Sequence, residues 1–138
     1  MEEPIPIEVK NFLTNGKQVK IISEEGEINQ MQLLLSQDLM NIFIKKNNSN
    51  FAPKPKDIIK TSSIKKILKG YGTDAFQKSK GFFRSIPKPE VCFSIIGDTT
   101  VDGVQTFNIE CESEKEVDKW IENLKIVINY LKNTIGTK

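Results

Sequence analysis

Ser113-Glu114-Lys115-Glu116-Val117-Asp118-Lys119-Trp120-Ile121-Glu122-Asn123-Leu124, running on to Leu131, is the stretch around which the rest of the chain is read. Ser113 and Glu116 have the spacing of a capping box, in which the serine hydroxyl and the glutamate carboxylate each take one of the unpaired amides that open a helix. Val117, Trp120, Ile121, Leu124, Val127, Ile128 and Leu131 then recur at steps of three and four, while Lys115, Asp118, Lys119, Glu122 and Lys125 fill the other side. The spacing predicts one helix with one apolar stripe that needs one cover, and Gly136 is its expected stop. Trp120, the only tryptophan, lies on that stripe and is expected to be structural core.

Upstream, the pattern changes from a period near 3.6 to a period of two. Glu2 to Lys10, with Pro4 and Pro6, reads as an arm, and Phe12-Leu13-Thr14-Asn15-Gly16 as a turn. Lys17 to Ser23 and Ile28 to Leu35 read as strands joined by the acidic turn Glu24-Glu25-Gly26-Glu27, and Met40 to Lys46 as a third. Short turns between them predict an antiparallel meander, with Val19, Ile21, Met31, Leu33, Leu35, Ile42 and Ile44 inward. Residues 47–57 read as a loop. Ile58 to Lys69 divides into two short strands around Thr61-Ser62-Ser63; a helix is the alternative, since Ile64, Ile67 and Leu68 also fit a three-and-four spacing. A long connection from Thr73 to Glu90 leads to a hairpin of Val91 to Ile96 and Val104 to Cys111. The chain is thus mainly β with one α-helix: seven short strands and a closing helix. Residues 1–11 are expected to form the arm, 12–133 the domain and 134–138 a tail.

The chain of 138 residues has no histidine, which removes the commonest general base and the commonest metal ligand together. No nucleophile elbow, glycine-rich phosphate loop or paired-carboxylate motif is found, so an enzyme is not expected, nor a cofactor or a metal. The acidic start, Met1-Glu2-Glu3-Pro4, is unlike a signal peptide and has Glu2 where myristoylation requires glycine; a cytoplasmic protein is expected. Cys92 and Cys111 lie on adjacent predicted strands, so a disulfide competes with the favoured reading of two free thiols. If Phe93 and Ile95 pair with Phe107 and Ile109, Cys111 points inward and Cys92 outward.

Net charge is +2, but it is unevenly spread: residues 45–90 hold twelve Lys or Arg against three acids, and the remainder eight bases against fifteen acids. That asymmetry points to an anionic partner for the middle segment, against the plainer reading of solvated lysine-rich loops.

The order of elements resembles a pleckstrin homology domain. The resemblance is carried by the hairpin Lys17 to Ser23 and Ile28 to Leu35, by Cys92-Phe93-Ser94-Ile95-Ile96, and by the helix with Val117, Trp120, Ile121 and Leu124. It implies a seven-stranded, strongly bent antiparallel β-barrel or sandwich capped at one end by the helix, with a lipid head-group site among the loops at the other. Richness in Lys, Asn and Ile, as in Lys45-Lys46-Asn47-Asn48, suggests an AT-rich genome, and a small domain of this kind resembles the acylated pleckstrin homology proteins of apicomplexan parasites. That resemblance would imply phosphatidic acid as the lipid and an acylated N-terminus, a pattern from which Glu2 departs.

In family members that hold phosphoinositides tightly, the first two strands supply a lysine, another base and then an arginine two residues on. Lys17 and Lys20 supply the first bases here, but the loop is acidic and the second strand offers Ile28, Gln30, Met31 and Gln32 with no arginine. Carboxylates repel a polyphosphate, and a bidentate arginine contact has no neutral substitute. The remaining candidate head-group residues are Lys45, Lys46, Lys54, Lys56, Lys78, Lys80 and Arg84. Lysines on loops suit a compact anion such as the phosphomonoester of phosphatidic acid, or a general anionic membrane surface. Phe82 and Phe83 beside Arg84 are candidates for membrane insertion, although at least one is expected to staple its loop to the barrel. At about 1 kcal/mol per base, four or five engaged bases give roughly 4 to 5 kcal/mol, a millimolar-class attraction. Stable residence therefore needs a pocket, wedged aromatics or a second anchor. The expectation is a monomer that binds anionic phospholipid peripherally on the cytosolic face, phosphatidic acid slightly ahead of phosphoinositides, and does not bind nucleic acid. The rival is a module of the same fold that binds a protein and no lipid.

Overall fold

A computed structural model describes residues 5–46, 57–78, 86–100 and 103–135. Within them the chain forms α1 (Ile7–Asn15), β1 (Lys17–Ile22), β2 (Ile28–Leu35), β3 (Asn41–Lys45), β4 (Ile58–Lys60), β5 (Lys66–Lys69), β6 (Cys92–Thr100), β7 (Gly103–Glu110) and α2 (Glu114–Ile135). All neighbouring strands are antiparallel, in one unclosed sheet ordered β4-β3-β2-β1-β7-β6-β5. The sheet bends over on itself: the Gln105 side-chain amide donates to the Ile58 carbonyl, and a Cβ on buried Gly97 would lie 3.1 Å from Ile59 Cγ2.

The first difference from the sequence expectation is at the start. Residues 7–15, read as the end of an arm and a turn, form a helix, because Val9 and Leu13 lie one turn apart and are both buried in the core. Pro6 precedes it and Gly16, at φ +74°, ends it, with the Gly16 amide donating to the Phe12 carbonyl. The split of residues 58–69 holds: β4 and β5 are separated by a 3-10 turn at Thr61–Ser63, whose Thr61 hydroxyl donates to the Leu39 carbonyl at 2.8 Å.

The core lies inside the bent sheet under α2. Val19, Ile21, Leu33, Leu35, Ile42, Ile44, Ile59, Phe93, Ile95, Phe107 and Ile109 meet Val117, Trp120, Leu124, Val127 and Leu131. Ser113 caps α2, its hydroxyl accepting the Glu116 amide at 3.2 Å. Trp120 is fully buried, with the Phe12 ring of α1 4.9 Å from its own, so the two helices close one end together.

Register decides the cysteines. Phe93 pairs with Ile109 and Ile95 with Phe107, which turns Cys111 into the core and Cys92 to the opposite face. Cys92 is nevertheless buried, because Ala75 and Phe76 cover that face, and no disulfide joins Cys92 to Cys111.

Candidate head-group site

Strand pairing collects three connections at one end. Beyond Ile22 of β1, paired with Asn108, lies the direction of the β6–β7 connection, and beyond Lys45 of β3, paired with Gln32, lies that of the β1–β2 turn. The β1–β2, β3–β4 and β6–β7 connections therefore leave the sheet together, at the end away from Trp120.

The β1–β2 turn is held by its own backbone: the Ser23 amide donates to the Glu27 carbonyl at 2.8 Å and the Gly26 amide to the Ser23 carbonyl at 2.9 Å. Glu24, Glu25 and Glu27 stand exposed around it. Gly26 has φ +91°, and a Cβ there would come within 2.6 Å of the Lys78 carbonyl carbon. Glycine is required both by the left-handed backbone and by the pressure of residue 78 against it.

Residue 78 arrives there because residues 71–78 cross the outer face of β6, β7 and β1. Thr73 and Ser94 hydroxyls donate to Asn108 Oδ1 at 2.7 and 3.0 Å, and Asn108 Nδ2 donates to the Ile22 carbonyl at 3.3 Å. Ala75 and Phe76 bury themselves against Ile22 and Cys92, and the Tyr71 ring stacks on Phe76. This crossing ends with Lys78 Nζ 3.5 Å from the Glu24 carbonyl and 3.8 Å from the Asp74 carboxylate. Nothing local in the sequence signals the Thr73, Ser94 and Asn108 cluster, since its members are up to 35 residues apart.

Among the candidate bases, Lys78 lies against the turn, while Lys45 closes β3 and exposed Lys46 leaves it toward the same end. Lys17 and Lys20 are elsewhere. Lys17 pairs with Leu33 at the opposite end of β1. Lys20 lies on the outer wall with its Nζ 3.8 Å from Glu110, whose side chain is only 12% exposed. Lys20 borders a cavity of about 400 Å³ that also takes in Gln18, Gln30, Val91, Glu110 and Glu112. Two carboxylates to one ammonium make that cavity unsuited to an anion. Lys54, Lys56, Lys80, Phe82, Phe83 and Arg84 lie outside the described residues. Among the described residues no cluster of Cys, Asp and Glu could hold a metal ion, and no helix is long and apolar enough to cross a membrane.

A bent seven-stranded antiparallel sheet, plugged at one end by a C-terminal helix and its tryptophan and open at the other among three connections, defines a pleckstrin homology domain. The model of the GAC PH domain family matches residues 3–129, and the chain belongs to that family. Among solved structures it is similar to the PH domain from TgAPH, with TM-score 0.63 and 14% identity over 91% of this chain and 89% of that one. It is also similar to the PH domain from PfAPH, with TM-score 0.57 and 16% identity over 88% and 87%. The Inner Membrane Complex sub-compartment protein 1 of Toxoplasma gondii gives TM-score 0.60 and 16% identity over 94% and 98%. At these identities the likeness is one of fold. No curated protein matches the chain significantly.

Proposed function

We propose that this domain binds anionic phospholipid head groups at its open end and so recruits the protein that carries it to the cytosolic face of membranes, as a peripheral monomer. Phosphatidic acid is the preferred head group, slightly ahead of phosphoinositides. The observation that carries this reading is Lys78 lodged against an acidic β1–β2 turn, at a place where β2 offers no arginine. Glu24, Glu25 and Glu27 repel a ligand of several phosphates, whereas a single phosphomonoester needs only the few ammonium groups that Lys45, Lys46 and Lys78 bring to this end. Lys54, Lys56, Lys80 and Arg84 belong by sequence to the two connections that adjoin these lysines and add to the positive field. Of Phe82 and Phe83, which stand between Lys80 and Arg84 in the sequence, one at most is proposed as an apolar wedge into the interface, the other being kept to staple its loop. The domain is read as a binding module without catalysis.

A second reading, a protein-binding domain, is favoured by the mixed-charge cavity that Lys20, Glu110 and Glu112 share on the outer wall. Co-sedimentation with vesicles of phosphatidylcholine alone, or with added phosphatidic acid, phosphatidylserine or a phosphoinositide, separates the two. Pelleting is expected to be greatest with phosphatidic acid. Replacing Lys45, Lys46 and Lys78 together by glutamine should lower it severalfold, and replacing Lys17 and Lys20 should change it little. Absence of pelleting with every anionic vesicle would overturn the lipid reading in favour of the protein-binding one.

A further inference from the structure

Six large apolar side chains are exposed among the described residues, and three of them, Leu68, Tyr71 and Ile86, lie on one part of the surface. Each is 36% exposed. They are gathered by long-range contacts. β5 pairs Leu68 with Ser94, so both face outward, and the chain then folds back at Gly72, where a Cβ would lie 3.0 Å from Leu68 Cβ and 3.1 Å from Ser94 Cβ. Tyr71 stands just before that fold, and its hydroxyl donates to the carbonyl of Pro87, the neighbour of Ile86. Alternation along β5 puts Lys66 on the same face as Leu68, and exposed Lys88 follows Pro87. Glu90 is the one carboxylate between Ile86 and Val91. Lys69, one residue on from Leu68, faces the other way and is held by Glu114 at 2.7 Å and Asp118 at 2.8 Å on α2.

We propose that this patch, Leu68, Tyr71 and Ile86 flanked by Lys66 and Lys88, is a second membrane-contact surface, on the flank of the domain and apart from the open end. It rests on the reading of the protein as a binder of anionic membranes and supplies the apolar contribution that lysines alone lack. The chemistry is that of the bilayer interface: two aliphatic side chains, a tyrosine whose ring is partly bare while its polar end is already bonded, and two ammonium groups for lipid phosphates. Three side chains, each about two-thirds covered, fall far short of the ~800 Å² per partner of a stable protein interface. Shallow burial in the head-group region needs no such area. With the open end and this flank both engaged, the domain lies tilted on the membrane, with the exposed face of α2 turned away.

The test uses the buried state of the native thiols, Cys92 and Cys111, which leaves a new surface cysteine as the reactive one. Leu68→Cys, Ile86→Cys and, as a control on the exposed face of α2, Glu122→Cys are labelled with an environment-sensitive fluorophore. Each is mixed with phosphatidylcholine vesicles with and without phosphatidic acid, and pelleting is measured in parallel. The expected result is pelleting with a blue shift at positions 68 and 86 and none at 122. In the unlabelled chain, Leu68→Asn with Ile86→Asn should weaken partitioning roughly tenfold. Pelleting with unshifted spectra at 68 and 86 overturns this second surface and leaves the open-end site standing. No pelleting of the unsubstituted chain overturns both.

Discussion

At the scale of single residues, two positions carry more than their sequence context implies. Trp120 fills the space between α2, α1 and the sheet, with no side-chain hydrogen bond from its Nε1 among the described residues, so its role is volume. Trp120→Ala should destabilise the domain by about 3–5 kcal/mol, read as a lower midpoint in urea unfolding, whereas Trp120→Phe should cost much less. Gly26 is the opposite case, a residue defined by what it lacks. Gly26→Ala must hold an alanine at φ +91° and push back the Lys78 carbonyl, a cost of about 1–3 kcal/mol. Because the displaced residue is Lys78, vesicle binding should fall in the same variant; unchanged binding would separate the turn from the head-group site. The glycine of an acidic turn is legible in the sequence as a turn former. The carbonyl it must make room for, from residue 78, is not.

At the scale of elements, α2 could be read from its sequence because cap, stripe and charged face all repeat within one segment. α1 could not, because nine residues with two prolines upstream form a helix only when Val9 and Leu13 find the core and Phe12 finds Trp120. The β2–β3 turn shows a local device with a measurable consequence. The Ser36 hydroxyl donates to Asp38 Oδ1 at 2.5 Å and the Met40 amide to the same oxygen at 3.0 Å, and together they lower the Asp38 pKa below its ordinary value. A depressed folded pKa means that the contribution is fully present above the ordinary aspartate pKa and is lost as pH falls through the lowered value. The Met40 amide resonance should therefore shift with a midpoint below that of an unhindered aspartate, and Asp38→Asn should remove the titration. A midpoint at the ordinary value would contradict the hydrogen bonds.

At the scale of the whole molecule, charge separation sets how binding should respond to salt. Bases concentrate in residues 45–90 and acids elsewhere in the chain, so the proposed attraction to an anionic surface is expected to act through that segment. Screening over roughly 8 Å at physiological ionic strength is expected to weaken such long-range attraction more than close contacts with a head group. Raising salt from low to physiological should release the protein from phosphatidylserine vesicles more than from phosphatidic acid vesicles, measured by co-sedimentation. Equal release from both would indicate attraction by surface charge alone.

The sequence by itself determined the kind of fold and where its plug lies, since a capped amphipathic helix after a run of short alternating strands depends only on neighbours three, four or two residues away. It also determined that charge gathers in the middle of the chain and that β2 has no arginine. Only the tertiary structure decided which lysines share an end. Register sends Lys17 to the far end of β1 and sets Lys20 beside Glu110, while the crossing of residues 71–78 carries Lys78 to the β1–β2 turn, 54 residues away in sequence from Glu24. The same crossing buries Cys92 on the outward face of β6 and brings Tyr71 to Pro87. Periodicity reports which face of an element is apolar, but it holds no record of which distant segment will cover that face. In this fold the burial of Phe76 and the hydrogen bonds of Asn108 hold the covering segment in place.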